Sequence, residues 1–173
     1  MKSKLFVRRY CVPKSFSKSF HVKDLKELKK LADKISPNLE KGDLFLLEGE
    51  MGSGKSEFVR HIVRKAFDDE LMEISSPTFL ICNTYKHFGL GLNINHFDLY
   101  RLHTIEEMEF LECKKVFSDG ISFVEWPKKL AINFITGDNN VVDLKIEDLE
   151  EETSRMLTFS TLSKKWEKLF EKI

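Results

Sequence analysis

The octapeptide Gly49-Glu50-Met51-Gly52-Ser53-Gly54-Lys55-Ser56 carries the strongest chemical signal in the sequence. Its spacing is G-x-x-x-x-G-K-[ST], in which every fixed position has a physical task. Glycine lets a backbone close around an anion through dihedrals that other residues avoid. The successive N–H groups of Glu50, Met51, Gly52, Ser53 and Gly54 then converge as an anion nest, and a helix beginning behind them adds its positive end. Lys55 would reach the β and γ phosphates of a nucleoside triphosphate, and the Ser56 hydroxyl would ligate magnesium. The chemistry implied is binding of Mg-ATP.

Hydrolysis requires more than a cradle: an acid near the metal and a group that places water. Two acids end strand-like runs. Glu125 closes Ile121-Ser122-Phe123-Val124, and Asp98 follows Asn95-His96-Phe97. Either could serve the metal or the water, and spacing does not divide the two roles. Thr78, behind Pro77, has a hydroxyl suited to a loop that senses the γ-phosphate. Arg101 could neutralise phosphate charge, although a surface ion pair is the plainer role. Trp126 reads as a packing residue, and His96 as a structural histidine closing a strand. His21, His61, His87 and His103 form no cluster.

These residues need elements to hold them. Periodicity predicts a first strand over 15–22, with Phe16, Phe20 and Val22 apolar, and an amphipathic helix over 24–35. Leu44-Phe45-Leu46-Leu47 is apolar on both faces, as in a central strand under helices. A helix over 57–67 follows the glycine-rich loop. Strands are expected over 79–85, from 90 to about 98, and over 121–124. Thr104-Ile105-Glu106-Glu107 is a capping box opening one helix to about residue 117. Two later strands, 141–146 and 156–160, precede a closing helix with Leu162, Trp166, Leu169, Phe170 and Ile173 on its apolar stripe. The order implies an α/β, three-layer P-loop NTPase-like fold with a mixed, largely parallel central sheet.

The 173 residues suit one domain, 42% hydrophobic and 32% charged. Lysine plus arginine equals aspartate plus glutamate at 28 each, so the basic excess of an unaided nucleic-acid binder is missing. RNA held jointly with a partner stays compatible. Cys11, Cys82 and Cys113 have neither disulfide nor zinc spacing and read as thiols in a reducing cytoplasm. No apolar run has the length of a transmembrane helix. Lys2, Lys4, Arg8, Arg9, Lys14 and Lys18 stand in a start without acids. That start suits an organellar transit peptide or a basic tail before the first strand. The second is favoured, giving a basic extension over 1–14 and one P-loop ATPase domain over 15–173.

The ordered set of residues 49–56, Ser76-Pro77-Thr78-Phe79, His96-Phe97-Asp98-Leu99-Tyr100-Arg101 and Glu125-Trp126-Pro127 resembles the TsaE (YjeE) family of small bacterial P-loop ATPases. The similarity runs from about Leu25 to Ser160. The resemblance implies service to threonylcarbamoyladenosine synthesis on tRNA, with TsaD-like and TsaB-like partners. In that setting ATP turnover supports the complex, and tRNA is met through the complex. It also implies Lys55 and Ser56 on phosphate and magnesium, Glu125 on the metal, Asp98 catalytic, Thr78 in a switch, and Arg155 near the nucleotide. Ser56 replaces the usual threonine and keeps its hydroxyl. Leu25 stands where a polar threonine is frequent, and Leu111-Glu112-Cys113 replaces a stretch that commonly holds glycine.

A small-molecule P-loop kinase is the competing function. Such kinases need an arginine-bearing lid, and beyond Arg101 only Arg155 is at hand. A GTPase is disfavoured by the missing Asn-Lys-x-Asp string. A nucleotide-driven switch with negligible turnover overlaps with the slow ATPase.

Overall fold

The computed structural model describes residues 16–77, 80–102, 104–137, 139–150 and 153–173. The basic extension over 1–14, Cys11, His103 and the switch candidate Thr78 lie outside the described residues.

Strand β1 (Phe16–Val22) leads into helix α1 (Leu25–Ile35). Asp24 caps α1, its side chain accepting from Glu27 N at 2.9 Å. Leu28, Leu31, Ala32 and Ile35 form its buried stripe. Strand β2 (Asp43–Glu48) feeds the glycine-rich loop and helix α2 (Lys55–Phe67). Then come β3 (Cys82–His87), β4 (Leu92–Asp98), α3 (Ile105–Phe110), α4 (Cys113–Asp119) and β5 (Ile121–Glu125). Strands β6 (Asn140–Asp148) and β7 (Arg155–Thr161) precede helix α5 (Lys164–Lys172).

Among the described residues the strands form one sheet in the order β1-β7-β6-β2-β5-β4-β3. The central strands β6, β2, β5 and β4 run parallel. Antiparallel partners extend both flanks: β7 and β1 beyond β6, and β3 beyond β4. The mixed sheet expected from the sequence is therefore present.

Alternation along β2 divides two cores. Phe45 and Leu47 face α1, α2 and α5, packing with Ile35, Phe58, Ile62, Trp166 and Phe170. Leu44 and Leu46 face the other side, with Met108, Phe117, Leu130 and Phe134. Helices on both faces make the three layers.

Three local expectations change. The helix expected from residue 104 to about 117 is two helices, because Glu112 between them adopts φ 49°, in the left-handed region. The capping box is present, with Thr104 N–H donating to Glu107 Oε1 at 3.2 Å. The strand expected from residue 79 starts at Cys82. Leu162 lies ahead of α5 and is half exposed, so it is not on the buried stripe. Burial pushes the Cys82 thiol up to about 11 and the Cys113 thiol up to about 12, and both are free. Neither is a reactive thiolate at neutral pH.

Candidate functional site

The site sits at the carboxyl ends of the parallel strands, where open α/β sheets place their ligands. Two features of the loop after β2 require glycine. Gly54 stands at the N-cap of α2 with φ 103°, a left-handed conformation that glycine adopts at little cost. At Gly49 a Cβ would lie 2.5 Å from Ser53 Oγ and 2.7 Å from the Ile146 carbonyl oxygen. The first loop residue is thus wedged against β6.

Lys55 and Ser56 open α2. Lys55 is buried, and its ammonium donates to the Gly49 and Glu50 carbonyls at 2.9 and 2.8 Å. The same Nζ lies 4.5 Å from the Trp126 ring centroid, a cation–π contact. Burial lowers the pKa of Lys55, while Glu125, Asp98, Glu50 and Asp148 oppose that shift. Ser56 Oγ donates to Glu125 Oε1 at 2.6 Å.

Parallel pairing of β4 with β5 sets Asp98 directly beside Glu125. Both are buried, at 7% and 3% exposure. Asp98 Oδ1 accepts from Tyr100 N–H at 2.9 Å. Two residues earlier on β4, His96 is 1% exposed and places Nε2 2.8 Å from Glu125 Oε1. Trp126 and Ile81 hold left-handed backbones, φ 58° and 64°, which is costly for residues of their bulk. Both abut the acids: Trp126 follows Glu125, and the Ile81 carbonyl accepts from Asp98 N–H at 2.9 Å.

Met51, Gly52, Gly54, Lys55, Ser56, Asp98 and Glu125 line one pocket of about 340 Å³, with Ser76, Tyr100 and Trp126. Gly52, Ser53 and Gly54 also border an adjoining pocket of about 470 Å³ that contains Arg155 and Leu25. Arg155 therefore stands away from the acids, with Nε 2.8 Å from Asp148 Oδ1. Glu50 lines a further cavity of about 410 Å³ across Trp126. Arg101 lies in the exposed turn after β4 and borders none of these three pockets.

Sequence reasoning set His96 and Trp126 aside, yet each touches the site directly, one on Glu125 and the other on Lys55. Their positions inside the HFDLYR and EWP strings were the signal available.

The donors gathered here suit magnesium: a hydroxyl from Ser56 and carboxyl groups from Glu125 and Asp98 are all hard oxygens. Among the described residues no group of three or more His, Cys, Asp or Glu could hold a metal. A metal at this site would therefore share its coordination with phosphate oxygens, as magnesium commonly does.

The sequence profile described as "TsaE: Threonylcarbamoyl adenosine biosynthesis protein TsaE" matches residues 22–157. Three relatives bear the description "tRNA threonylcarbamoyladenosine biosynthesis protein TsaE". That of Rickettsia conorii is 36% identical over 123 residues, 66% of this chain and 69% of the relative. That of Rickettsia felis is 34% identical over 137 residues, 79% of this chain and 78% of the relative. That of Streptomyces coelicolor is 31% identical over 147 residues, 80% of this chain and 93% of the relative. The crystal structure of Bacillus subtilis YdiB shares the fold, with a TM-score of 0.64 at 21% identity, over 91% of this chain and 93% of that one. A profile match across the loop, both acids and the sheet that carries them places this chain in the TsaE family of threonylcarbamoyl adenosine biosynthesis proteins.

Proposed function

We propose that this chain binds Mg-ATP and hydrolyses it slowly, in the cytoplasm, in support of the complex that installs threonylcarbamoyladenosine on tRNA. One observation carries the reading: Lys55, Ser56, Asp98 and Glu125 line a single pocket, at the start of a helix that follows a glycine-rich loop.

Phosphoryl transfer depends on position and electrostatics more than on covalent chemistry from the protein. The loop N–H groups and the start of α2 receive the phosphates. Lys55 exchanges its two carbonyl contacts for β and γ oxygens. Ser56 and Glu125 would hold magnesium, which when bound would neutralise charge on the phosphate oxygens. Asp98, with one oxygen committed to Tyr100 N–H, has the other to orient the attacking water.

The pocket offers one lysine and no arginine among its lining residues. An arginine on the transferring phosphoryl group is worth about 10³–10⁵ in rate where P-loop enzymes use one. Slow turnover alone is the consequence, with acceleration by partners. The family reading makes those partners TsaD-like and TsaB-like subunits, which would also bring the tRNA. The same shortage of arginine argues against a lidded small-molecule kinase.

The test is ATP hydrolysis by the purified chain, alone and then with a TsaD–TsaB pair and tRNA. Stimulation that disappears in Glu125→Ala supports the reading. Steady turnover indifferent to those partners would refute it. Lys55→Ala is expected to fold and to lose nucleotide binding, and wild-type turnover in that variant would overturn the phosphate assignment.

A further inference from the structure

His96 has a task that the residues lining the pocket leave undone. Its ring is buried at 1% exposure on the face of β4 that also carries Asp98. In the parallel register His96 stands opposite Phe123, so the ring reaches diagonally to Glu125, the next residue of β5 on that face. Nε2 lies 2.8 Å from Oε1. The same oxygen accepts the Ser56 hydroxyl at 2.6 Å. Nδ1 is buried and has no hydrogen-bond partner among the described residues.

That orphan decides the tautomer. A proton on Nδ1 would be a buried N–H with no acceptor, which is rarer in proteins than an under-satisfied acceptor. A proton on Nε2 leaves only a bare lone pair at Nδ1 and donates to Glu125. Oε1 then accepts two hydrogen bonds, one for each lone pair. One bond comes from α2 and one from β4. Among the described residues Oε2 has no protein partner, and the carboxyl group cannot rotate without breaking the buried bond to His96.

We propose that His96 is a positioning residue for metal-dependent nucleotide binding: it donates from Nε2 to Glu125 and fixes that carboxylate in the orientation that meets magnesium. This rests on the Mg-ATP reading above. His96 lines none of the three pockets around the loop and is not a catalytic residue. The bond matters most once Ser56 turns from Glu125 toward the metal, because His96 is then the contact on Oε1 that remains. Hydrogen-bonding partners of metal ligands typically contribute 10–100-fold to metal affinity.

The experiment titrates Mg²⁺ against the full chain with a fluorescent N-methylanthraniloyl ADP, and measures binding of the same nucleotide in EDTA. The variants are His96→Leu, His96→Asn and His96→Gln. The Gln amide N–H reaches toward the position of Nε2; the Asn amide ends near Nδ1, and Leu has no donor. The inference expects all three to bind nucleotide in EDTA as the wild type does. His96→Leu and His96→Asn should need roughly 10–100-fold more Mg²⁺ to tighten binding, with His96→Gln restored to near the wild-type requirement. Direct Mn²⁺ binding by electron paramagnetic resonance, with nucleotide present, should rank the variants in the same order. If His96→Leu fails to fold, the Asn and Gln pair carries the comparison. An unchanged Mg²⁺ requirement in His96→Asn, or an equal loss in Asn and Gln, overturns the positioning role and leaves the Mg-ATP reading standing. A wild-type chain that binds the nucleotide neither with nor without Mg²⁺ overturns that reading and the inference together.

Discussion

On the proposed reading Lys55 would bind phosphate only while it is protonated, and its surroundings pull that proton in two directions. Burial lowers its pKa from the ordinary 10.5, and the carboxylates led by Glu125 and Asp98 work against burial. Attraction for phosphate is present below the lowered value and lost above it. Metal-free affinity for ADP is therefore expected to fall with a midpoint below 10.5. In Glu125→Gln, where one raising charge is gone, that midpoint should move further down. Titrations of labelled ADP between neutral and strongly alkaline pH measure both, and an upward move in Glu125→Gln would reject this account of Lys55. The lysine and its loop were legible in the sequence because phosphate binding fixes residue types at contiguous positions. His96 was not. Its partner Glu125 lies 29 residues away, and only the register of β4 on β5 brings them together.

At the scale of elements, two short connections set how the loops present themselves. The loop after β2 touches β6 where a Cβ on Gly49 would overlap Ser53 Oγ and the Ile146 carbonyl. The serine side chain can turn away, but a strand carbonyl cannot. Gly49→Ala is thus expected to cost about 1–3 kcal/mol and to weaken nucleotide binding as the loop shifts. Urea denaturation reads the first effect and ADP titration the second, and a variant unchanged in both would show that β6 yields there. The second connection joins α3 to α4 through exposed Glu112 at φ 49°. A left-handed backbone costs a side-chain-bearing residue roughly 1–2 kcal/mol, and glycine returns part of that gain through its freer unfolded chain. Glu112→Gly should accordingly be more stable by about 0.5 kcal/mol, read as a higher denaturation midpoint; a lower midpoint would mean the turn is unstrained. The capping box predicts one helix to about residue 117, and the spacing of Met108, Cys113 and Phe117, which all face the same core, does not mark the break. A turn of the backbone between two helices that share a face leaves that spacing intact. The long apolar strands and the stripes of α1 and α2 were readable for the opposite reason: their burial is continuous, and periodicity reports it directly.

At the scale of the whole molecule, the last helix is fastened to the central strand at the end remote from the site. Asp43 begins β2 and is completely buried. Its Oδ1 accepts from Trp166 Nε1 at 3.0 Å, and its Oδ2 accepts from Lys165 Nζ at 2.8 Å and Glu40 N–H at 2.7 Å. Trp166 in turn packs on Phe45, with ring centroids 5.0 Å apart. This fastening bridges 123 residues of sequence. Burial raises the Asp43 pKa even though Lys165, Glu40 and Trp166 act to lower it. Because the folded value is raised, the associated stability is full below the unfolded value near 3.8 and is lost as pH climbs through the folded value. Wild type should therefore lose stability relative to Asp43→Asn as pH rises across that window, and a flat difference would reject the raised value. Asp43→Ala has the larger effect: it strands the buried Trp166 indole N–H at a cost of about 1–3 kcal/mol, while Lys165 Nζ keeps Glu40 Oε1 at 2.8 Å. The glycine-rich loop leaves from the other end of the same strand, so ADP affinity of the folded fraction should be unaltered in that variant. A parallel loss of affinity would show that the strand transmits the change along its length, and that α5 belongs to the site as well as to the fold.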